Sequence, residues 1–213
     1  SSSGSNSLQE TNKLTTQLNN SLNISSIDFF SNLGFLNKFE FYLQNQNSVG
    51  KKLDNLKSSP KSEFKNINNF TSKIPLLKYS DYYLNSITPK FSFRFNPTDM
   101  KDASDGSSSL SVNNIFDINR LNTNDYEQGK SLTLGIDYRK ESVQNINKYF
   151  EVKLAGVLRD VEQKKIPTSS SLNQTASNLF GGINYGLSDI VDLNYDFSLD
   201  NDFNTFERNS IGL

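Results

Sequence analysis

The chain has 213 residues, with 22 Lys and Arg against 23 Asp and Glu, a formal net charge of −1, and neither Cys nor His. Thiol nucleophiles, imidazole bases and Cys/His zinc sites are therefore excluded, and the lack of any basic block argues against a nucleic-acid footprint. Apolar residues make up only 34%, yet Phe (16) and Tyr (9) are plentiful, a mix too aromatic for a disordered segment and too dilute for a conventional α/β core.

The N-terminal SSSGSNSLQETNK has no initiator Met, basic region or apolar region, so it does not read as a signal peptide. No run approaches the roughly 18 consecutive apolar residues of a membrane helix. From there the dominant signal is alternation with period two. Weaker versions run over 13–24, 35–44 and 64–74, with a long polar loop expected at 45–63. In KFSFRFN, Phe91, Phe93 and Phe95 oppose Lys90, Ser92, Arg94 and Asn96. A further weak strand is expected at 109–118.

Beyond it, SLTLGIDYR sets Leu132, Leu134, Ile136 and Tyr138 against Ser131, Thr133, Gly135, Asp137 and Arg139. Strands at 149–159 and 178–187 follow, separated by a second long loop at 160–176, and a tight turn is expected at 187–189. The clearest case is VDLNYDFSLD, in which Val191, Leu193, Tyr195, Phe197 and Leu199 point one way and Asp192, Asn194, Asp196, Ser198 and Asp200 the other. A last strand is expected at 205–213. The count is about ten strands, most near the length of a tilted membrane-spanning strand. Short and long connections do not alternate cleanly along the chain, so parity does not orient the sheet. The whole of 1–213 reads as one all-β unit.

Alternation alone does not separate a soluble sandwich, whose apolar face packs on a second sheet across about 10 Å, from a membrane barrel, whose apolar face meets lipid. Long strands with charged or amide-rich polar faces favour the barrel. The candidate lipid-facing residues are then Leu132, Leu134, Ile136, Val191, Leu193, Tyr195 and Phe197. The candidate lumen-facing residues are Asp137, Arg139, Asp192, Asn194 and Asp196.

The spacing of Asp192, Asn194, Asp196 and Asp200 invites a calcium-loop reading, but Phe197 stands where such a loop needs Gly and Phe203 where it needs Glu. Carboxylates lining one strand face account for the pattern. No carboxylate pair with the asymmetry of an acid and a base is visible, so the chain is expected not to be an enzyme, with no cofactor and no metal. The N-x-S/T triplets at Asn23, Asn69 and Asn173 are weak evidence for glycosylation in so Asn-rich a chain. Gly181 and Gly182, within a strand pattern and with no helix start after them, mark a bulge or a close backbone approach rather than a phosphate cradle.

The remaining polar stretch, 113–141, gathers Asn119, Arg120, Asp125, Glu127 and Gly129 ahead of Leu132 and Gly135-Ile136. This run resembles the NRF-G-DR-E-G-R-L-YG signature of the LptD family, the lipopolysaccharide-assembly outer-membrane proteins also called organic solvent tolerance proteins. The similarity continues in order. Upstream, ITPKFSFRFNPTDM at 87–100 resembles the family's PK-LR-NP segment. Downstream, Ala155 to Arg159 resembles GQ-YR, Pro167 with Ser169 to Leu172 resembles P-SGL, SNLFG at 177–181 resembles SD-VG, and 193–208 resembles the L-YRFRLD strand and its hairpin. Residues 87–213 carry the resemblance. The sequence departs from it at Leu121 (family Phe), Asn124 (Gly), Tyr126 (Arg) and Asp196 (Arg).

The resemblance implies part of an antiparallel transmembrane β-barrel, which has 26 strands in the family, in the outer membrane of a Gram-negative bacterium. The implied role is insertion of lipopolysaccharide into the outer leaflet, with a porin-like passive channel as the alternative. The implied partners are lipopolysaccharide, outer-membrane lipids, the plug lipoprotein LptE and a periplasmic bridge protein reached through a jellyroll domain outside this segment. Asn119, Arg120, Asp125, Glu127 and Gly129 are then expected to be a structural hairpin connection between two barrel strands. With Ile211-Gly212-Leu213 at its end, the chain is expected to be an excerpt of a longer protein.

Overall fold

The computed structural model describes residues 1–9, 13–51, 59–121 and 126–213. Among these the chain forms twelve strands: β1 (Ser2–Gln9), β2 (Lys13–Ser25), β3 (Phe29–Phe30), β4 (Leu36–Lys51), β5 (Lys61–Lys73), β6 (Leu76–Tyr79), β7 (Tyr83–Asn96), β8 (Gly129–Ser142), β9 (Tyr149–Arg159), β10 (Leu179–Ser188), β11 (Val191–Leu199) and β12 (Phe206–Gly212). They make one open antiparallel sheet in the order β1-β2-β4-β5-β7-β8-β9-β10-β11-β12, with β3 beside β4 and β6 beside β7. Each main strand pairs with its neighbour in sequence, so the sheet is a meander that needs no crossover.

Register aligns the alternation of adjacent strands into two continuous faces. Phe70 pairs with Phe93, Phe93 with Leu132, and Leu132 with Leu158. Tyr185 pairs with Phe150 and with Leu193, and Tyr195 with Ile211. This apolar face is uncovered: Leu134, Phe93 and Ile136 remain 47%, 46% and 43% exposed. A one-residue slip anywhere would transfer a whole strand's Phe and Leu to the other side.

The polar face carries the core. Two connections, 97–128 between β7 and β8 and 160–178 between β9 and β10, fold back over it. Their Met100, Leu110, Val112, Ile115, Leu121, Ile166 and Leu172 pack with Ala155, Val157 and Phe180 of the sheet. The connections also bond to each other, Ala103 N to Lys165 O at 2.9 Å and Ser108 N to Ser169 Oγ at 3.0 Å. Small residues on β8 and β10 let them approach closely. A Cβ on Gly135 would stand 2.9 Å from the Phe116 ring, and one on Gly182 3.0 Å from Val112 Cγ1. The neighbouring Gly181 faces the other way, beneath the Phe197 ring. The glycine pair therefore marks close approach on both faces, and the register shift of β10 falls later, between Gly186 and Ser188.

Several sequence expectations are corrected. Residues 109–118 are a chain of turns. Asn114 Oδ1 accepts from Ser111 N (2.8 Å) and Ser111 O accepts from Ile115 N (3.0 Å), so their alternating apolar residues turn inward onto the sheet. Residues 45–51 and 61–63, expected as loop, extend β4 and β5, where Asn45 Nδ2 donates to Ser62 Oγ at 2.9 Å. Pairing set up by Phe39 and Phe41 overrides the weak strand preference of Asn. β1 was not expected, because SSGSNSLQ has no apolar period. The two longest connections, 97–128 and 160–178, leave one end of the sheet and the links at 143–148 and 189–190 the other, but length does not sort by end throughout: the short 200–205 link shares the first end and the longer 26–35 link the second.

Candidate functional site

Register places Asn69, Arg94, Ser131 and Arg159 in one row across β5, β7, β8 and β9 of the polar face. The returning end of the 97–128 connection lays Arg120 and Glu127 on this row, and all four charged side chains are buried. Glu127 is the hub. Its Oε1 accepts from Arg94 Nη1 at 3.0 Å and from Arg120 Nε; its Oε2 accepts from Arg120 Nη2 at 2.8 Å and Arg159 Nη1 at 2.6 Å.

The guanidiniums also donate to the connection and the sheet, although the buried Nε groups of Arg94 and Arg159 have no hydrogen-bond partner among the described residues. Arg120 Nη1 donates to Ile115 O (3.2 Å) and Thr133 Oγ1 (2.8 Å), and its Nη2 to Ser131 Oγ (3.0 Å). Arg94 donates to the carbonyls of Asp117 and Ile118, and Arg159 Nη2 to Gln128 O. Burial pushes the Glu127 carboxyl upward, but the fields of Arg120, Arg94 and Arg159 outweigh it and hold the group at about 2. One carboxylate thus ties a cation from each of two strands, β7 and β9, and Arg120 of the connection itself into one cluster. Every Glu127 oxygen is saturated by guanidinium, which leaves no lone pair for proton transfer to a substrate.

Of the residues singled out in the sequence, Arg120 and Glu127 come together here. Gly129 opens β8 at φ 93°, beside Arg159. Asn119 is exposed and stands apart from the cluster, and Asp125 lies outside the described residues. The connection joins the neighbouring strands β7 and β8 and is long because it folds over the sheet rather than merely turning.

Asp137 and Arg139 share the polar face but belong to separate pairs, Lys90 Nζ to Asp137 Oδ2 at 2.8 Å and Arg139 Nε to Glu141 Oε2 at 2.8 Å. Asp192 and Asn194 are exposed, and Asp196 lies beside Gly182. Leu132, Leu134, Ile136, Val191, Leu193, Tyr195 and Phe197 all belong to the uncovered apolar face, set there by the pairs Leu132–Phe93, Leu193–Tyr185 and Tyr195–Ile183.

Sequence reading did not pick out Arg94 and Arg159 as partners of Glu127. Each looked like one polar position of an alternating strand, and only register brings them together. A signal was nonetheless present, since both lie in segments quoted for the resemblance. Those segments are the ones that fasten the two connections to the sheet. Asn96 Nδ2 donates to Tyr126 O (3.2 Å) and its Oδ1 accepts from Thr98 N (2.9 Å). Ser170 Oγ donates to Pro167 O (2.7 Å), Leu172 is in the core, and Ser177 Oγ accepts from Val157 N (2.9 Å).

A comparison with protein-family models gives no match, and neither does a comparison with curated proteins.

Proposed function

We propose that this chain is a wall segment of an outer-membrane β-barrel of the lipopolysaccharide-assembly type. In this reading it contributes to the insertion of lipopolysaccharide into the outer leaflet and performs no catalysis. The observation that carries the membrane part is the inversion of the sheet: across β7 to β11 apolar side chains line an uncovered face, while the core lies between the polar face and the two connections. A water-facing sheet would do the reverse, since a bare apolar face of this extent is costly in water. In a bilayer the same face is matched by lipid, and backbone groups are satisfied by the ladder once further strands close the barrel beyond β1 and β12. The two longest connections, 97–128 and 160–178, leave the same end of the sheet, in keeping with the habit of outer-membrane barrels, which puts the long loops on the outer side.

The lipopolysaccharide part rests on the resemblance over 87–213. It gains physical support because the resembling residues are those that pin two connections inside the barrel. A polar lumen including Asp137, Arg139, Asp192, Asn194 and Asp196 would shelter a charged saccharide head, and acyl chains would leave laterally into lipid. Partners in this reading are the plug lipoprotein LptE, outer-membrane lipids and the periplasmic bridge.

Depletion of the full-length protein is expected to lower surface lipopolysaccharide. Unchanged surface lipopolysaccharide, with altered uptake of small solutes, would replace this role with that of a passive channel. Leu134→Arg tests the membrane part separately. It is expected to cost about 2–4 kcal/mol in a vesicle folding assay if the residue lies near the bilayer midplane, and free tolerance of the change would contradict the assigned facing.

A further inference from the structure

We infer that the cleft between the 107–110 turn, the 3-10 turn at Thr168–Ser170 and strands β11–β12 is a binding site for a neutral glycosyl unit. The cavity measures about 420 Å³ and is lined by Ser107, Ser109, Ser169, Ser198, Glu207 and Arg208, over a wall that includes Phe180. The four hydroxyls face one guanidinium and one carboxylate; Ser169 Oγ already donates to Ser108 O, while Ser109 and Ser198 Oγ accept from Arg208 and Asn178 and keep their own hydrogens for a ligand. That is the complement of a ring of hydroxyl groups.

The charges decide between a sugar and an anion. Arg208 already donates from Nη1 to Ser109 Oγ at 2.9 Å and from Nη2 to Leu110 O at 2.6 Å. The adjacent Glu207 accepts from Asn178 Nδ2 through one oxygen, and its second oxygen has no such bond. A carboxylate in the wall repels an anionic ligand while accepting from a hydroxyl. The walls are also held in place from behind. Ser108 N donates to Ser169 Oγ at 3.0 Å, and Asn178 Nδ2 donates to Ser198 Oγ at 3.0 Å. Ser108 belongs to the same wall, with its Oγ buried and without a hydrogen-bond partner among the described residues.

The site stands on this geometry and not on the barrel reading. The test is saturation-transfer NMR on the full chain in detergent micelles, titrated with methyl α-D-glucopyranoside and separately with sodium phosphate. A third arm uses nanodiscs with and without a glucosyl diacylglycerol, which separates a free sugar from a lipid headgroup. Glucoside binding is expected, free or as headgroup, weakened about tenfold or more by Glu207→Gln and by Ser107→Trp. Far-ultraviolet circular dichroism would establish that both variants keep the sheet. Phosphate binding in place of the glucoside, glucoside binding indifferent to both variants, or no glucoside binding in any arm would overturn the site. A chain that inserts into vesicles yet ignores the glucoside would overturn this inference and leave the barrel reading standing.

Discussion

The polar face of the sheet has two sectors that differ in what lies on them. Across β7 to β10 it is roofed by 97–128 and 160–178, and Ser92, Arg94, Ser131, Thr133, Ala155, Val157 and Phe180 are buried. Across β1, β2 and β4 the same face presents Ser3, Ser5, Ser7, Thr15, Gln17, Asn19, Gln44, Gln46 and Ser48, none of them buried. The strands of the two sectors pair in the same way, so the backbone ladder does not distinguish them. What distinguishes them is side-chain burial: apolar contacts and a fully desolvated ion cluster in one, an amide and hydroxyl ladder open to water in the other. Local stability follows buried contacts rather than hydrogen-bond pattern, so the roofed sector is the anchor of the chain and the amide sector its most easily opened part.

The comparison breaks most sharply at Glu127. Replacing it by Ala leaves Arg94, Arg120 and Arg159 buried without their counter-charge, which is expected to cost about 3–5 kcal/mol. Thermal unfolding followed by circular dichroism in micelles would measure it. Hydrogen exchange should further show 97–128 released while β1 and β2 are unchanged. A uniform rise in exchange over the whole sheet would mean that the two sectors are one cooperative unit. Next in size is Leu172→Ala, which empties a fully buried position between the second connection and the sheet. It is expected to cost about 2–5 kcal/mol, again with the exchange change confined to the roofed sector.

How much of this could be read from the sequence follows the same division. The strands at 90–96, 131–139 and 191–200 announce themselves because one face is apolar at every second residue. β1 does not, because Ser, Gly and Asn carry no period and its pairing is dictated by β2. The stretch 109–118 misleads for the opposite reason: Leu110, Val112 and Ile115 mimic a strand, while Asn113 and Asn114 turn the chain and the apolar residues face the sheet. Arg120 and Glu127 are visible as a polar group at the mouth of β8. Their partners Arg94 and Arg159 are not, since a cluster assembled across three strands exists only once register is known.

Acidification separates the sectors by charge. Glu127 is held at about 2 in the folded chain, below an unfolded value of about 4.3. A group with a depressed folded pKa contributes stability that is full above its unfolded pKa and is lost as pH falls through the folded one. The roofed sector is therefore expected to weaken progressively from about pH 4 toward pH 2. The ladder of β1 and β2, whose strands carry no carboxylate, should show no titration of its own in that window. Glu127→Gln should flatten the acid response of the first sector, as read by exchange at 97–121. A slope that survives this substitution would have to come from other carboxylates.

The smallest effect tests the strands of the open sector from their other face, where Asn45 and Ser62 share the side of Phe39 and Phe70. Asn45 donates from Nδ2 to Ser62 Oγ at 2.9 Å across the β4–β5 pair, and both side chains are partly open to water. A solvated hydrogen bond of this kind contributes about 0.5–1.5 kcal/mol at most, and the strand preference of Thr over Asn recovers up to about 1 kcal/mol. Asn45→Thr is therefore expected to leave stability within about 0.5 kcal/mol of the parent, with slower exchange at the ends of β4 and β5. A loss as large as that of Leu172→Ala would show that the ladder is held by tightly coupled amides, and the division between an anchored and an open sector would have to be abandoned.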